Sequence, residues 1–160
     1  MKVRALVMDV DGTLTDGGIF IGASGEIMKN FYVRDGYAIK HMLPQMRILP
    51  IIITGRESEI VERRCRELDI VHLYQRSVDK MQDLRRVLAQ EQIALEETAY
   101  IGDDVNDMEC LQAVALAGCP CDAVPEIKKI ADFIALSPGG HGAVREFIEW
   151  IKENEKNIDS

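Results

Sequence analysis

The 160-residue chain lacks several features that would assign it quickly. No apolar stretch is long enough to cross a bilayer, which excludes a membrane-spanning helix. Basic residues are scarce, 19 Lys and Arg against 27 Asp and Glu, for a formal net charge of −8. Without a basic run to neutralise phosphates, nucleic acid is not an expected partner. The apolar start, MKVRALVMDVDG, is broken by Asp9 and Asp11. A secretory signal is therefore not expected, and a cytoplasmic location is. Cys65, Cys110, Cys119 and Cys121 are then expected to be reduced thiols. No second Cys or His pair accompanies Cys119-Pro120-Cys121 at zinc-binding spacing, and His41, His72 and His141 have no ligand spacing. Internal repeats, low-complexity tracts and linkers are absent, so one domain over residues 1–160 is expected.

What is present is an alternation. Short apolar runs at Val3–Val10, Ile48–Thr54, Ala99–Gly102, Ala113–Ala117 and Asp132–Leu136 read as strands. Between them, Tyr37–Met46, Glu57–Leu68, Asp79–Gln90, Asp107–Gln112, Pro125–Ala131 and Ala143–Asn154 carry helical patterns. The polar residues 155–160 are expected to fray. Continuous apolar strands alternating with helices predict an α/β fold, a parallel sheet with helices on both faces. One segment breaks the rhythm. Gly18–Val33 has two β-like runs around Gly22-Ala23-Ser24-Gly25 and reads as a hairpin over the carboxyl end of the first strand.

Ligands of such sheets bind outside the carboxyl ends of the strands. Three of those ends carry polar groups. Asp9 and Asp11, two apart on extended backbone, can address one site. Two close carboxylates need a cation between them or a shared proton, although Asp-Gly is also common in turns. In ITGR, Thr54 offers a hydroxyl, and the backbone N–H groups from Gly55 onward can meet a phosphate at a helix start. Lys80 opens a helix, where the dipole disfavours a cation unless it faces an anion; a solvated lysine is the alternative. Asp103, Asp104 and Asp107 lie at a strand-to-helix turn. One of them suffices as a cap, and the set suits a hard cation such as Mg²⁺.

DxDGT, TGR, Lys and GDDxxD in this order resemble the haloacid dehalogenase superfamily, over nearly the whole chain. The resemblance implies a three-layer Rossmannoid sheet and a phosphatase acting through an aspartyl phosphate. Asp9 would be the nucleophile and Asp11 the acid and base. Thr54 and Lys80 would hold the transferring oxygens. Mg²⁺ would be bound by Asp9, the Asp11 carbonyl and Asp103, with Asp107 in support and Asp104 ambiguous between these roles. Asp11 also separates the chain from P-type ATPases, which carry Thr there and whose phosphoenzyme lasts. Only Asp16–Val33 lies between the first motif and the next helix, and motif two to motif three is also short. This resembles the capless branch, with a hairpin flap at about 18–33 and no cap domain.

Within that branch YVRDGYAIK, ITGRESEIVERRC and GGHGAVREF resemble the 3-deoxy-D-manno-octulosonate 8-phosphate phosphatases of lipopolysaccharide synthesis. By that resemblance Tyr32, Val33, Arg34, Asp35, Gly36, Lys40, Gly55, Arg56 and Arg64 are substrate-binding candidates. Arginine suits the carboxylate of a sugar acid, and Arg56 and Arg64, eight apart, would share a helix face. The chain departs from the family at Lys40, where Arg is usual, and at Tyr32, where Asn is frequent. Relatives acting on nine-carbon 9-phosphates, sialic acid or 2-keto-3-deoxynononate, are the alternative. Arg56 favours the eight-carbon substrate over 2-keto-3-deoxynononate, while CPCDAVPEIKKIADF resembles segments that accompany sialic acid cytidylyltransferases. The resemblance also implies a homotetramer whose pockets are completed by a neighbouring subunit, with Ile19, Phe20, Ile21 and Met28 in an interface. Rival readings are a non-catalytic phosphate-sensing module, a two-component receiver domain and a generalist phosphatase. The intact acid and base set opposes the first, and an acidic pair on the first strand opposes the second.

Overall fold

The computed structural model describes residues 2–158, with side chains through Asn154. Its middle layer is a sheet built from β1 (Ala5–Met8), β4 (Leu49–Ile53), β5 (His72–Tyr74), β6 (Thr98–Ile101), β7 (Leu116–Cys119) and β8 (Phe133–Ile134). The order is β5-β4-β1-β6-β7-β8, and every pairing is parallel. The chain runs outward from β1 to one edge and then crosses to β6 on the other side. The point where strand order reverses therefore lies between β1 and β6, the usual seat of a ligand in such sheets.

β1 shows why this strand is central. Leu6 and Met8 enter one core while Ala5 and Val7 enter the other, so both faces are dry. The first core is covered by α2 (Leu43–Met46) and by Ala38 and Ile39, which lead to it from α1 (Val33–Tyr37), and by α3 (Glu59–Glu67) and α7 (Ala143–Ile158). The second is covered by α4 (Lys80–Glu91), α5 (Met108–Ala113) and α6 (Pro125–Lys128). On α7 the residues Val144, Phe147, Ile148 and Ile151 are fully buried, spaced as one face of a helix. Phe147 stacks near Phe133 at 5.6 Å and Trp150 at 5.8 Å, over the flat backbone of Gly118.

The expected hairpin is β2 (Phe20–Gly22) and β3 (Gly25–Met28), antiparallel, extended by a bridge between Thr15 and Phe31. Phe20, Ile21, Ile27 and Met28 are exposed on it. Among the described residues no cap domain stands over the sheet, and no helix is long and apolar enough to cross a membrane. All four cysteines are free thiols.

Four expectations change. β5 adds a strand that the pattern did not announce, a three-residue edge strand whose residues are only half buried. The helix expected at Tyr37–Met46 begins at Val33 and carries a π turn at Ala38–Met42. Pro44 follows at the start of α2, and its missing N–H cannot close an ordinary helical bond across this turn. The Ala113–Ala117 run is split, because α5 ends at Ala113 and β7 begins at Leu116. The last helix continues to Ile158, past the expected end at Asn154, while Asp159 and Ser160 lie outside the described residues.

Phe147→Ala should lower stability by about 3–5 kcal/mol, the usual cost of emptying a buried aromatic site. Chemical denaturation measures this, and a loss below about 1 kcal/mol would contradict the packing of α7.

Candidate active site

The turn after β1 is shaped by Gly12, whose φ is +89° and where a Cβ would lie 2.1 Å from Asp103 Oδ2. Only glycine lets the first and last acidic motifs approach this closely. Gly139 seals the turn from outside, because a Cβ there would fall 1.9 Å from the Gly12 carbonyl oxygen. The glycine-rich loop before α7 thus packs on the first motif of its own chain.

Lys80, the first residue of α4, is buried between two carboxylates. Its Nζ donates to Asp9 Oδ1 at 2.8 Å and to Asp107 Oδ1 at 2.7 Å. Asp79 caps α4 by accepting from the Gln82 N–H, which leaves Lys80 to turn inward. Asp107 has both oxygens engaged. Oδ1 also accepts from the Tyr100 hydroxyl at 2.7 Å, and Oδ2 accepts from the N–H groups of Asp103 and Asp104. Asp104 is exposed and caps the turn at Val105–Asp107 by accepting from the Val105 N–H.

Carboxylate oxygens of Asp9, Asp103 and Asp107 lie within 4.8 Å of one another. With Asp107 spent on protein donors, Asp9 and Asp103 remain as the hard oxygen donors of the cluster. An all-oxygen donor set at mutually repelling carboxylates fits Mg²⁺. Burial dominates the acidities, and neighbouring charge adds to it. Burial, then the charge of Asp107, pushes the Asp9 carboxyl well above the usual range, although Lys80 opposes this. Burial pushes Asp103 up to about 6; Asp107 adds to the rise, and hydrogen bonds with Asp9 and Thr13 counter it. Burial would lower the Lys80 ammonium, yet Asp9 and Asp107 outweigh it and raise the group.

One cleft is lined by Asp9, Asp11, Thr54, Gly55, Arg56, Asp103, Asp104 and Asn106. The other candidates lie elsewhere. Tyr32 and Arg34 line a groove with Ser137, His141 and Arg145. Val33, Gly36, Lys40 and Arg64 line another with Tyr37 and Glu67. Arg56 and Arg64 do not share a helix face, because α3 begins only at Glu59 and Arg56 stands in the turn before it. Lys40 donates to the Glu67 carbonyl at 2.7 Å and pairs with Asp69 at 3.2 Å, closing the carboxyl end of α3. Asp35 is buried, and its Oδ1 accepts from the Arg145 N–H at the start of α7. Burial there pushes its carboxyl up to about 6. Asp35 therefore faces the protein interior in its own chain, not an open groove.

The sequence reading missed Lys29 and Glu26. Lys29 Nζ donates to Asp11 Oδ1 at 2.5 Å and pairs with Glu26 at 3.2 Å. Glu26 accepts from Ser58 Oγ and pairs with Arg56 at 3.3 Å. A lysine in a hairpin reads as solvated. The one available signal was its place at the foot of the flap, shortly before the VRDG segment.

A model of the haloacid dehalogenase-like hydrolases matches residues 53–148, and the chain belongs to this family. It is 41% identical over 158 residues to the 3-deoxy-D-manno-octulosonate 8-phosphate phosphatase KdsC of Salmonella typhi, covering 99% of this chain and 84% of that protein. The crystal structure of 3-deoxy-D-manno-octulosonate 8-phosphate phosphatase from Yersinia pestis matches with a TM-score of 0.92 at 39% identity, covering 99% of this chain and 85% of that one. The phosphatase of the same name from Moraxella catarrhalis, solved in complex with magnesium, phosphate and KDO, matches with a TM-score of 0.91 at 37% identity. That match covers 98% of this chain and 90% of the other.

A carboxyl raised in the folded state favours folding below its unfolded value of about 4, and that contribution is lost as pH rises through its folded value. For Asp103 the folded value is about 6. In chelator, Asp103→Asn should therefore melt higher than the wild type, by a margin that opens between about pH 4 and 7. Mg²⁺ at neutral pH should raise the melting temperature of the wild type alone and narrow the margin. A margin independent of pH would contradict a carboxyl raised by burial and by the charge of Asp107.

Proposed function

We propose that this chain is an Mg²⁺-dependent phosphatase that hydrolyses the phosphate monoester of a 3-deoxy-2-keto sugar acid, with 3-deoxy-D-manno-octulosonate 8-phosphate as its substrate. The observation that carries this reading is the single cleft in which Asp9 and Asp103 meet Arg56 at the strand ends. A phosphate and a carboxylate of one small molecule then find their partners side by side. The 41% identity to KdsC over nearly the whole chain supports the choice of sugar acid.

In the proposed reaction the Asp9 carboxylate attacks phosphorus and the bond from phosphorus to the sugar oxygen breaks. Asp11 gives its proton to that oxygen, and the sugar acid leaves. Water then attacks the aspartyl phosphate while Asp11 takes its proton. Inorganic phosphate departs, and the Asp9 carboxylate is restored. Lys80 and Thr54 hold oxygens of the transferring group, and Asp107 holds Lys80. When bound by the carboxylates of Asp9 and Asp103 and the backbone carbonyl of Asp11, Mg²⁺ cancels the repulsion between a phosphate dianion and a carboxylate.

The wider reading is that residues 1–160 act as one domain, in the cytoplasm, as a homotetramer. The exposed apolar side chains of the flap, Phe20, Ile21, Ile27 and Met28, support burial against neighbouring copies. In such an assembly Tyr32, Arg34, Lys40 and Arg64, which line other grooves of their own chain, would serve a neighbour's pocket.

The test is phosphate release with Mg²⁺, comparing kcat/KM on the octulosonate 8-phosphate, the two nine-carbon 9-phosphates and simple sugar phosphates. The octulosonate should lead clearly; equal slow rates on all of them would overturn the substrate. Asp9→Asn should reduce release by at least about a thousandfold with the fold intact by circular dichroism. Chelation should abolish the wild-type rate and Mg²⁺ restore it. Turnover retained by Asp9→Asn would overturn the role of Asp9.

A further inference from the structure

Each member of the DxD pair has its own buried lysine. Lys80 holds Asp9 from α4, and Lys29 holds Asp11 from the flap. The Lys29 side chain is fully buried, 0% exposed, under the hairpin that carries it. A buried ammonium costs several kcal/mol unless it is paired, so a lysine kept here points to a task. Its partners define that task. Nζ binds Asp11 Oδ1 at 2.5 Å on one side and Glu26 at 3.2 Å on the other. Glu26 is itself held by Ser58 and Arg56 from the turn after β4. A chain of charge-assisted bonds thus runs from the β1 turn through the flap to the β4 turn. Among the described residues, Asp11 Oδ2 has no protein partner.

From this geometry we infer that Lys29 is a positioning residue for Asp11. By pinning Oδ1 it fixes the plane of the carboxyl group and presents Oδ2 to the leaving oxygen. Glu26 fixes Lys29 in turn. The flap is then part of the catalytic geometry and not only a cover. This inference rests on the function proposed above, in which Asp11 gives a proton to the departing sugar oxygen as the bond to phosphorus breaks.

The leaving group separates this role from simple support of the fold. An alkyl oxygen needs the proton from Asp11, whereas nitrophenolate departs without one. The kcat/KM of each ester reports steps up to transfer onto Asp9. Lys29→Met should lower kcat/KM on the sugar-acid phosphate by about 30-fold or more and on p-nitrophenyl phosphate by less than about threefold, within the usual contribution of general acid catalysis. Lys29→Arg should recover part of the loss. Combined with Asp11→Asn, Lys29→Met should cost nothing further, because the two residues act as one unit. Should Lys29→Met fail to fold, Lys29→Gln, which keeps a donor towards Asp11 Oδ1 without the charge, should show a smaller loss with the same bias. Equal losses on both esters, or additive losses in the double variant, overturn the inference while leaving the phosphatase intact. Wild-type protein inactive on both esters overturns the phosphatase reading and this inference with it.

Discussion

The carboxyl end of the sheet is organised around the Lys80 ammonium between Asp9 and Asp107. All three groups are nearly sealed from water, with side-chain exposures of 3%, 8% and 0%. Three charges cannot be buried this way unless each completes its hydrogen bonds. Asp107 does so through Tyr100 and two backbone N–H groups, which ties the second core to the site. Removing one member of such a buried set typically costs about 3–5 kcal/mol, because the others are left uncompensated. The same arrangement leaves Asp9 and Asp103 as repelling carboxylates that a hard cation would relieve. The structural demand and the chemical one are therefore the same demand.

Much of this was legible in the chain. Apolar runs of four or five residues ending in Asp, Thr or Asp carry a sheet and its polar mouth in plain view. Positions 9 and 11 must share a direction whatever surrounds them. What could not be read depended mostly on distance along the chain and otherwise on local boundaries. β5 is stabilised by pairing with β4, not by its own composition. The π turn at Ala38–Met42 follows from Pro44 acting on a helix already committed elsewhere. Asp35 caps α7 from 110 residues away, and Lys29 is buried only because the flap folds back over Asp11. The inference that Arg56 and Arg64 share a face failed on a boundary, since two residues of loop after Arg56 removed the common helix.

The flap and the first motif form one mechanical unit. The Thr15–Phe31 bridge closes the base of the hairpin, and Lys29 and Glu26 fasten its body to the turns after β1 and β4. The Gly139–Gly140 backbone presses on the first turn from the other side, so that turn has little room to move. With no cap domain among the described residues, this short hairpin is the element fastened over the first motif. It holds charged groups in place at the turns after β1 and β4. Its outer apolar side chains are exposed in a single chain, which is consistent with the proposed assembly.

The central claim, that the group held by Lys80 is the one that takes the phosphoryl, is tested most directly by trapping the intermediate. Protein turning over the octulosonate 8-phosphate is quenched within milliseconds, reduced with borohydride and analysed by peptide mass spectrometry. The account predicts reductive conversion at Asp9, dependent on substrate and on Mg²⁺. Conversion at another carboxylate, or a fully active enzyme with none at Asp9, would contradict it.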